Sequence, residues 1–123
     1  MIRSKRIFRS VAVGLAILLV AVCSQAETPP KLVDVGADKC IPCIKMAPIL
    51  EQLETDFEGQ LDVEFVDAWK RREEAARYNV RMIPTQIFYA ADGKELFRHV
   101  GFFSREEILG KWQELGYTFT VTP

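Results

Sequence analysis

Two cysteines stand three residues apart, with a proline between them, where a short apolar segment gives way to a helical pattern. The segment reads ADKCIPCIKMAP and covers residues 37–48. Thiols at this spacing can bind a metal, close a small loop, hold a haem or exchange a disulfide with another protein. Other features of the sequence are needed to decide which of these chemistries, and which fold, the chain has.

The N-terminus has the pattern of a secretory signal peptide. Four basic residues precede an apolar run over residues 11–22, and Ser24 and Ala26 supply small side chains for cleavage. The run is shorter than the roughly 20 residues of a membrane-spanning helix. We therefore predict a signal peptide over residues 1–26 and one domain over residues 27–123, located in the periplasm or otherwise exported. An uncleaved, membrane-tethered form is the alternative.

Removal of this leader changes the charge and the cysteine content. The formal net charge moves from −1 to −5, because the leader carries four basic and no acidic residues. An acidic domain gives no electrostatic reason to expect nucleic-acid binding. Cys23 leaves with the leader, so that Cys40 and Cys43 remain, and an exported location permits their oxidation. We expect a monomer that needs no cofactor.

Hydrophobic periodicity predicts alternating strands and helices. Strand patterns cover residues 31–37, 61–68, 85–90 and 94–100, and helical patterns cover residues 43–57, 72–79 and 105–115. The last two strands flank the turn ADG, which favours a hairpin. This order predicts an α/β sheet covered by helices, with the first two strands parallel and the hairpin antiparallel.

Local signals refine the helices. Pro48 lies inside the first helix and is expected to kink it, since its ring clashes with the preceding turn. Ser104 and Glu107 have the spacing of a capping box, and Gly116 is expected to end the last helix. The run KRREEAAR, residues 70–77, is interpreted as a solvated helix start.

The strand-to-helix position favours redox chemistry at the cysteines. Cys40 falls at the carboxyl end of the first strand and the N-terminus of the first helix, where free N–H groups and the helix dipole stabilise a thiolate. The thiolate is the nucleophile in disulfide exchange. Cys43, almost one turn later, would hold its sulfur close to that of Cys40 but less exposed. This geometry indicates Cys40 as the attacking and Cys43 as the resolving cysteine.

The sequence lacks the ligands for a zinc or haem site, and a purely structural disulfide here would stabilise the fold only slightly. Structural zinc needs about four ligands, whereas the mature chain offers two cysteines and the single His99, far along the sequence. A c-type haem site needs a histidine after the second cysteine, where this chain has Ile44. No metal site is predicted. A purely structural disulfide remains the serious alternative, although so small a loop yields little chain-entropy gain.

Two stretches of the chain resemble the thioredoxin family over nearly the whole mature domain. They read LVDVGADKCIPCIKMAPILEQL and YNVRMIPTQIFYAADGKELFRHVGFFSREEI. The shared pattern combines C-x-P-C, an aspartate six residues before it, an alanine-proline in the same helix, and IPT before a hairpin ending in Val-Gly. The resemblance implies a thioredoxin-like fold whose central mixed sheet has four strands flanked by helices, without the extra N-terminal strand and helix of full thioredoxins.

The resemblance also implies roles for individual residues. Cys40 would be the nucleophile, Cys43 the resolving cysteine and Asp34 the buried acid that handles protons for the latter. The Ile83-Pro84 bond would be cis and sit against the disulfide. With Ile83 and Pro84, the pair Val100-Gly101 would line the groove in which a partner's backbone docks.

Several positions depart from the family pattern. Lys39 and Gly36 stand where aromatic residues are common, so the face around Cys40 is expected to be less apolar. Lys39, Ile41 and Pro42 are interpreted as tuning the redox potential. A lysine that partners the buried acid in many members aligns with Val63 in this chain.

The function predicted first is a thiol-disulfide reductase of exported proteins. Its partners would be protein disulfides, and its electrons would come from a membrane thiol-disulfide transporter, as in family relatives. A disulfide oxidant or isomerase is the alternative within enzymes. A non-catalytic peptide-binding module with a permanent disulfide is the alternative from another class.

For the aromatic residues and the histidine, the sequence predicts burial or exposure but no chemical role. Trp69 and Trp112 are interpreted as packing residues, and His99 as a half-exposed hairpin residue. One of Phe102 and Phe103 is expected to pack in the core while the other joins a binding rim.

Overall fold

The computed structural model describes residues 27–123. The predicted signal peptide, residues 1–26, lies outside the described residues. The elements are β1 (Lys31–Gly36), α1 (Ile41–Asp56), β2 (Asp62–Asp67), α2 (Arg72–Arg77), β3 (Thr85–Tyr89), β4 (Glu95–Val100) and α3 (Arg105–Glu114). This order confirms the alternation predicted from periodicity. Within residues 27–123, no helix has the length and apolar character that crossing a membrane requires.

The strands form one mixed sheet in the order β2-β1-β3-β4. β1 pairs with β2 in parallel, and β3 pairs antiparallel with both β1 and β4. The predicted parallel pair, the antiparallel hairpin and the four-stranded thioredoxin-like architecture are therefore confirmed. Because β1 is central, the loop that follows it, which carries Cys40, emerges in the middle of one sheet edge.

Each face of the sheet has its own apolar core. Alternate residues of a strand point to opposite faces. On one face Leu32 and Phe88 pack with residues of α1 and α3, including Leu53 and Trp112. On the other face Val33, Val35, Val66, Ile87 and Ala75 of α2 form a smaller cluster. Asp34 follows Leu32 at a spacing of two, and it therefore lies on the face that α1 and α3 cover.

The C-terminal tail adds packing rather than a strand. Residues 117–123, YTFTVTP, alternate aromatic or apolar residues with threonine as a strand would, yet no strand forms there. The rings of Tyr117 and Phe119 lie 5.2 and 5.7 Å from that of Trp112. The Thr122 N–H donates to the Asp56 carbonyl over 2.8 Å. The tail thereby covers the junction between the end of α1 and the buried face of α3.

The ends of the helices largely follow the predicted signals. The Ser104 Oγ accepts from the Glu107 N–H, and the Glu107 carboxylate accepts from the Ser104 N–H, which confirms the capping box of α3. The segment assigned to α3 ends at Glu114, and Gly116 follows it at a φ of 93°. α1 continues through Pro48 to Asp56.

Replacing Ser104 by alanine is expected to lower the free energy of unfolding by about 1 kcal/mol. The change removes the acceptor of the Glu107 N–H and loosens the reciprocal bond. Urea denaturation monitored by circular dichroism measures the loss. Thr118→Ala removes a hydroxyl from an exposed tail residue and serves as the matched control. Equal stability of the two variants would contradict a stabilising cap.

Candidate active site

Cys40 and Cys43 form a disulfide at the start of α1. Their Cα atoms lie 5.1 Å apart. Cys40 is the N-cap residue in extended conformation, with φ −85° and ψ 123°, and its carbonyl accepts from the Ile44 N–H over 2.8 Å. Cys40 is partly exposed, whereas only 3% of Cys43 is exposed. An incoming group can therefore reach Cys40 and not Cys43.

The residues around Cys40 present a mixed surface. Lys39, Ile41 and Pro42 are all exposed, and the Ile41 side chain is 70% accessible. Pro42 lies in the first turn of α1, where its missing N–H has no intrahelical acceptor to lose. These three residues, interpreted from sequence as tuning the redox potential, thus form exposed surface around Cys40.

A second segment reaches the same edge of the sheet from β3. The Ile83-Pro84 bond is cis, as the resemblance implied. The register pairs Val35 with Thr85, so Pro84 lies where β1 ends and the Cys40 loop begins. Pro84 is buried and Ile83 partly so. Cys40 and Pro84 therefore share one edge, although they are 44 positions apart in the sequence.

The end of β4 completes this edge. The Gly101 N–H donates to the Pro84 carbonyl over 2.8 Å. Gly101 adopts a φ of 102°, which side-chain-bearing residues rarely adopt. Val100 pairs with Thr85 and is 51% exposed. The structure therefore brings together the four residues predicted to line a docking groove.

Asp34 is a fully buried carboxyl in the centre of β1. Its Oδ1 accepts from the Gln86 amide over 2.8 Å, and its Oδ2 has no hydrogen-bond partner among the described residues. Burial raises the pKa of Asp34 to about 6, an effect that the Gln86 hydrogen bond only partly offsets. Such a carboxyl can take up and release a proton near neutral pH.

The neighbour of Asp34 on β2 is Phe65, not Val63. The register pairs Val63 with Leu32 and Phe65 with Asp34, so the sequence alignment that gave Val63 the lysine position was wrong by two residues. A shift of two keeps every side chain on the same face, and hydrophobic alternation therefore cannot reveal it. An aromatic ring, not a cation, adjoins the acid here.

The Phe65 ring also fills space that Gly36 leaves open. A Cβ atom built on Gly36 would lie 3.1 Å from Phe65 Cε2 and 3.3 Å from Cys43 Sγ. Phe65 and Cys43 further line a groove of about 390 Å³ along α1. Phe65 thus covers the side of Cys43 that a side chain at position 36 would otherwise cover.

Two of the remaining aromatic predictions agree with the structure and one is wrong. Phe103 is buried, as expected for one residue of the pair, while Phe102 is 45% exposed. Trp112 is fully buried. Trp69 is 51% exposed and lies in the loop after β2, so it is not a packing residue. Nothing in the sequence pattern distinguished its position from that of a core tryptophan.

His99 is half-buried and stacks on Phe103 at a ring separation of 4.0 Å. Its Nε2 lies 3.1 Å from the Phe102 carbonyl oxygen. Among residues 27–123, no three side chains of the metal-ligating types form a cluster. The groups of this region that can exchange electrons or protons include the two sulfurs and the buried Asp34 carboxyl.

Comparison with known proteins gives consistent results. The sequence profile of the Thioredoxin family matches residues 21–114. A thioredoxin of Staphylococcus aureus is 39% identical over 85 residues, which cover 69% of this chain and 81% of that protein.

Solved structures agree in fold. Deadhead, a germline-specific thioredoxin of Drosophila melanogaster, superposes with a TM-score of 0.63 at 24% identity, covering 73% of this chain and 84% of that one. A malarial protein superposes with a TM-score of 0.65 at 19% identity, covering 70% and 96%. At these identities the two structures support the architecture alone.

Proposed function

The chain belongs to the thioredoxin family of thiol-disulfide oxidoreductases, and from this premise we propose that it reduces disulfides in exported proteins. The observation that carries the proposal is the unequal exposure of the bridged pair. Cys40 is open to a partner at the N-terminus of α1, and Cys43 is enclosed behind it. This asymmetry suits an enzyme that is attacked or attacks at one sulfur and resolves with the other.

The proposed reaction proceeds in two exchanges. The Cys40 thiolate attacks one sulfur of the client disulfide, so that a Cys40–client bond forms, the client bond breaks and one client thiolate leaves and takes up a proton. The Cys43 thiol then loses its proton and attacks Cys40 Sγ, which closes the Cys40–Cys43 disulfide and releases the second client thiol. The client gains two electrons and two protons, and the enzyme dithiol loses them.

Side chains and backbone groups support these steps in different ways. N–H groups and the dipole at the start of α1 stabilise the Cys40 thiolate. Asp34 is proposed as the acceptor of the Cys43 proton, because its raised pKa lies near neutrality. The backbone beside cis-Pro84, with Ile83, Val100 and Gly101, is proposed to hold the client segment in extended form.

The direction and the location of the reaction are parts of the same proposal. The basic and apolar N-terminal pattern supports export, and Pro42 rather than a histidine before Cys43 favours the reducing direction. An exported reductase has no soluble pyridine-nucleotide reductase at hand. A membrane thiol-disulfide transporter is therefore the proposed electron donor.

The reduction potential of purified residues 27–123 tests the direction. We expect a value below about −230 mV, measured by equilibration with thiol buffers and quantification of the Cys40–Cys43 disulfide. A value above about −150 mV would reassign the protein as an oxidant. A pair that never equilibrates with a small thiol would refute exchange altogether and leave a binding module with a structural disulfide.

A further inference from the structure

A cationic surface adjoins the redox edge on the side of β2 and α2. The segment from Trp69 to Arg81 holds five basic and two acidic residues, a formal charge of +3. The rest of residues 27–123 sums to −8. This segment is therefore a locally basic surface on an acidic domain, and the net charge of the domain does not reveal it.

Three of its arginines are free to meet a partner. Lys70 pairs with Asp38 at 2.6 Å, and Arg71 pairs with Glu74 at 3.0 Å. Arg72, Arg77 and Arg81 are exposed and form no ion pair with any residue between 27 and 123. Their charges are thus available to an incoming carboxylate.

The exposed indole of Trp69 lies among these arginines. One open groove is lined by Trp69, Arg72 and Arg77, and a second of about 340 Å³ is lined by Trp69, Arg72 and Arg81. We call the four residues Trp69, Arg72, Arg77 and Arg81 the basic shelf. Glu73 and Glu74 also line the first groove, but the basic residues outnumber them and leave the segment at +3. The shelf thus offers an apolar platform with an excess of cations, which suits an acidic segment that also carries apolar side chains.

A backbone hydrogen bond and an ion pair join the segment that carries the shelf to the redox site. The Ala68 N–H donates to the Gly36 carbonyl over 2.8 Å, and the Lys70–Asp38 ion pair ties the shelf segment to the loop before Cys40. The second groove is also lined by Ile83, the residue before the cis-proline. The shelf is therefore within reach of a client docked along Ile83 and Pro84.

We propose that the basic shelf selects clients whose reducible disulfide is flanked by acidic residues. The proposal rests on the reductase function above and adds a substrate class to it. Bulk charge predicts the opposite preference, because a domain of net charge −5 repels an acidic peptide. A preference for acidic peptides would therefore show that the basic shelf, and not the net charge of the domain, determines which peptide binds better.

Two synthetic peptides test the proposal. Both carry one disulfide in the same loop, and they differ only in a run of glutamates or of lysines beside it. We expect the reduced enzyme to reduce the glutamate peptide about tenfold faster at low ionic strength. The difference should disappear as ionic strength rises from about 0.01 M to about 1 M, where the Debye length is about 3 Å.

Matched charge reversals locate the effect. Arg72→Glu is expected to abolish the preference, mainly through KM, and it places an acid in the first turn of α2, where the helix tolerates one. Lys94→Glu makes the same charge change in the exposed β3–β4 turn and is expected to leave the preference intact. Equal effects of the two variants, or a wild-type preference for the lysine peptide, would overturn the proposal.

A neutral small disulfide, 2-hydroxyethyl disulfide, separates the two levels of inference. The wild type, Arg72→Glu and Lys94→Glu should reduce it at the same rate. A molecule of this size, when it reacts at Cys40, does not extend as far as the shelf. Its turnover without any acidic preference would refute the shelf and leave the reductase function standing. Failure of the wild type to reduce it at all would instead refute the function on which the shelf depends.

Discussion

Replacing Cys40 by serine is expected to abolish disulfide exchange, with a loss of at least about 1,000-fold in rate. Replacing Cys43 by serine is expected to leave the first exchange intact and to stop the second. The physical reason is access, because Cys40 is partly exposed whereas only 3% of Cys43 is exposed. In the Cys43→Ser variant the mixed disulfide with the client should therefore accumulate.

The measurement is the amount of enzyme–client adduct after incubation with insulin as the client, acid quenching and non-reducing electrophoresis or mass spectrometry. The double variant Cys40→Ser/Cys43→Ser controls for non-covalent association. An adduct that forms equally well with Cys40→Ser would show that the roles of the two sulfurs are not as assigned. If neither single variant forms one, the pair is structural and the binding-module alternative gains support.

Much of the fold could be predicted because its local signals agree with its packing. Periodicity gave the order of elements, and the pairing of Ser104 with Glu107 gave the start of α3. Cys40 could be placed at the N-terminus of α1 because a buried strand pattern ends just before it. These inferences need only neighbouring residues, and no long-range contact opposes them.

The composition of the site's surroundings could not be predicted in the same way. Phe65 adjoins Asp34 through a register between strands about thirty residues apart, and a two-residue slip conserves the buried face. Trp69 was expected to pack because large aromatic residues usually do. α2 is short and buries only Ala75 from its own residues, and in the loop before it Ala68 packs against the core while Trp69 is exposed. Tertiary context, not propensity, decided both positions.

Replacing Asp34 by asparagine is expected to change the pH dependence of stability of the oxidised protein. Burial raises the pKa of Asp34 from 3.8 to about 6, so the folded state binds its proton more tightly than the unfolded state. The free energy of unfolding of the wild type should therefore fall relative to that of Asp34→Asn as pH rises from about 4 to about 6. Above that range the difference between the two proteins should stay constant. At about 1.4 kcal/mol per pH unit, the loss amounts to about 3 kcal/mol.

Urea denaturation across this pH range measures the difference between the two proteins, in which contributions of the other carboxylates cancel. Glu58→Gln removes one exposed carboxylate and should follow the wild type throughout. A difference between wild type and Asp34→Asn that stays constant with pH would mean that burial does not raise the pKa of Asp34.

The destabilisation by Asp34 and its proposed catalytic use arise from one physical cause. Desolvation that disfavours the carboxylate also gives a proton acceptor near neutrality on the face of the sheet covered by α1, which carries Cys43. If Asp34 takes the Cys43 proton, the rate of client release from the mixed disulfide should rise with pH and reach half its maximum at about pH 6, the upper end of the range over which stability falls. In Asp34→Asn the release rate should lose that rise while the first exchange at Cys40 continues. A release rate whose midpoint lies far from pH 6 would mean that Asp34 does not take the Cys43 proton and affects stability alone.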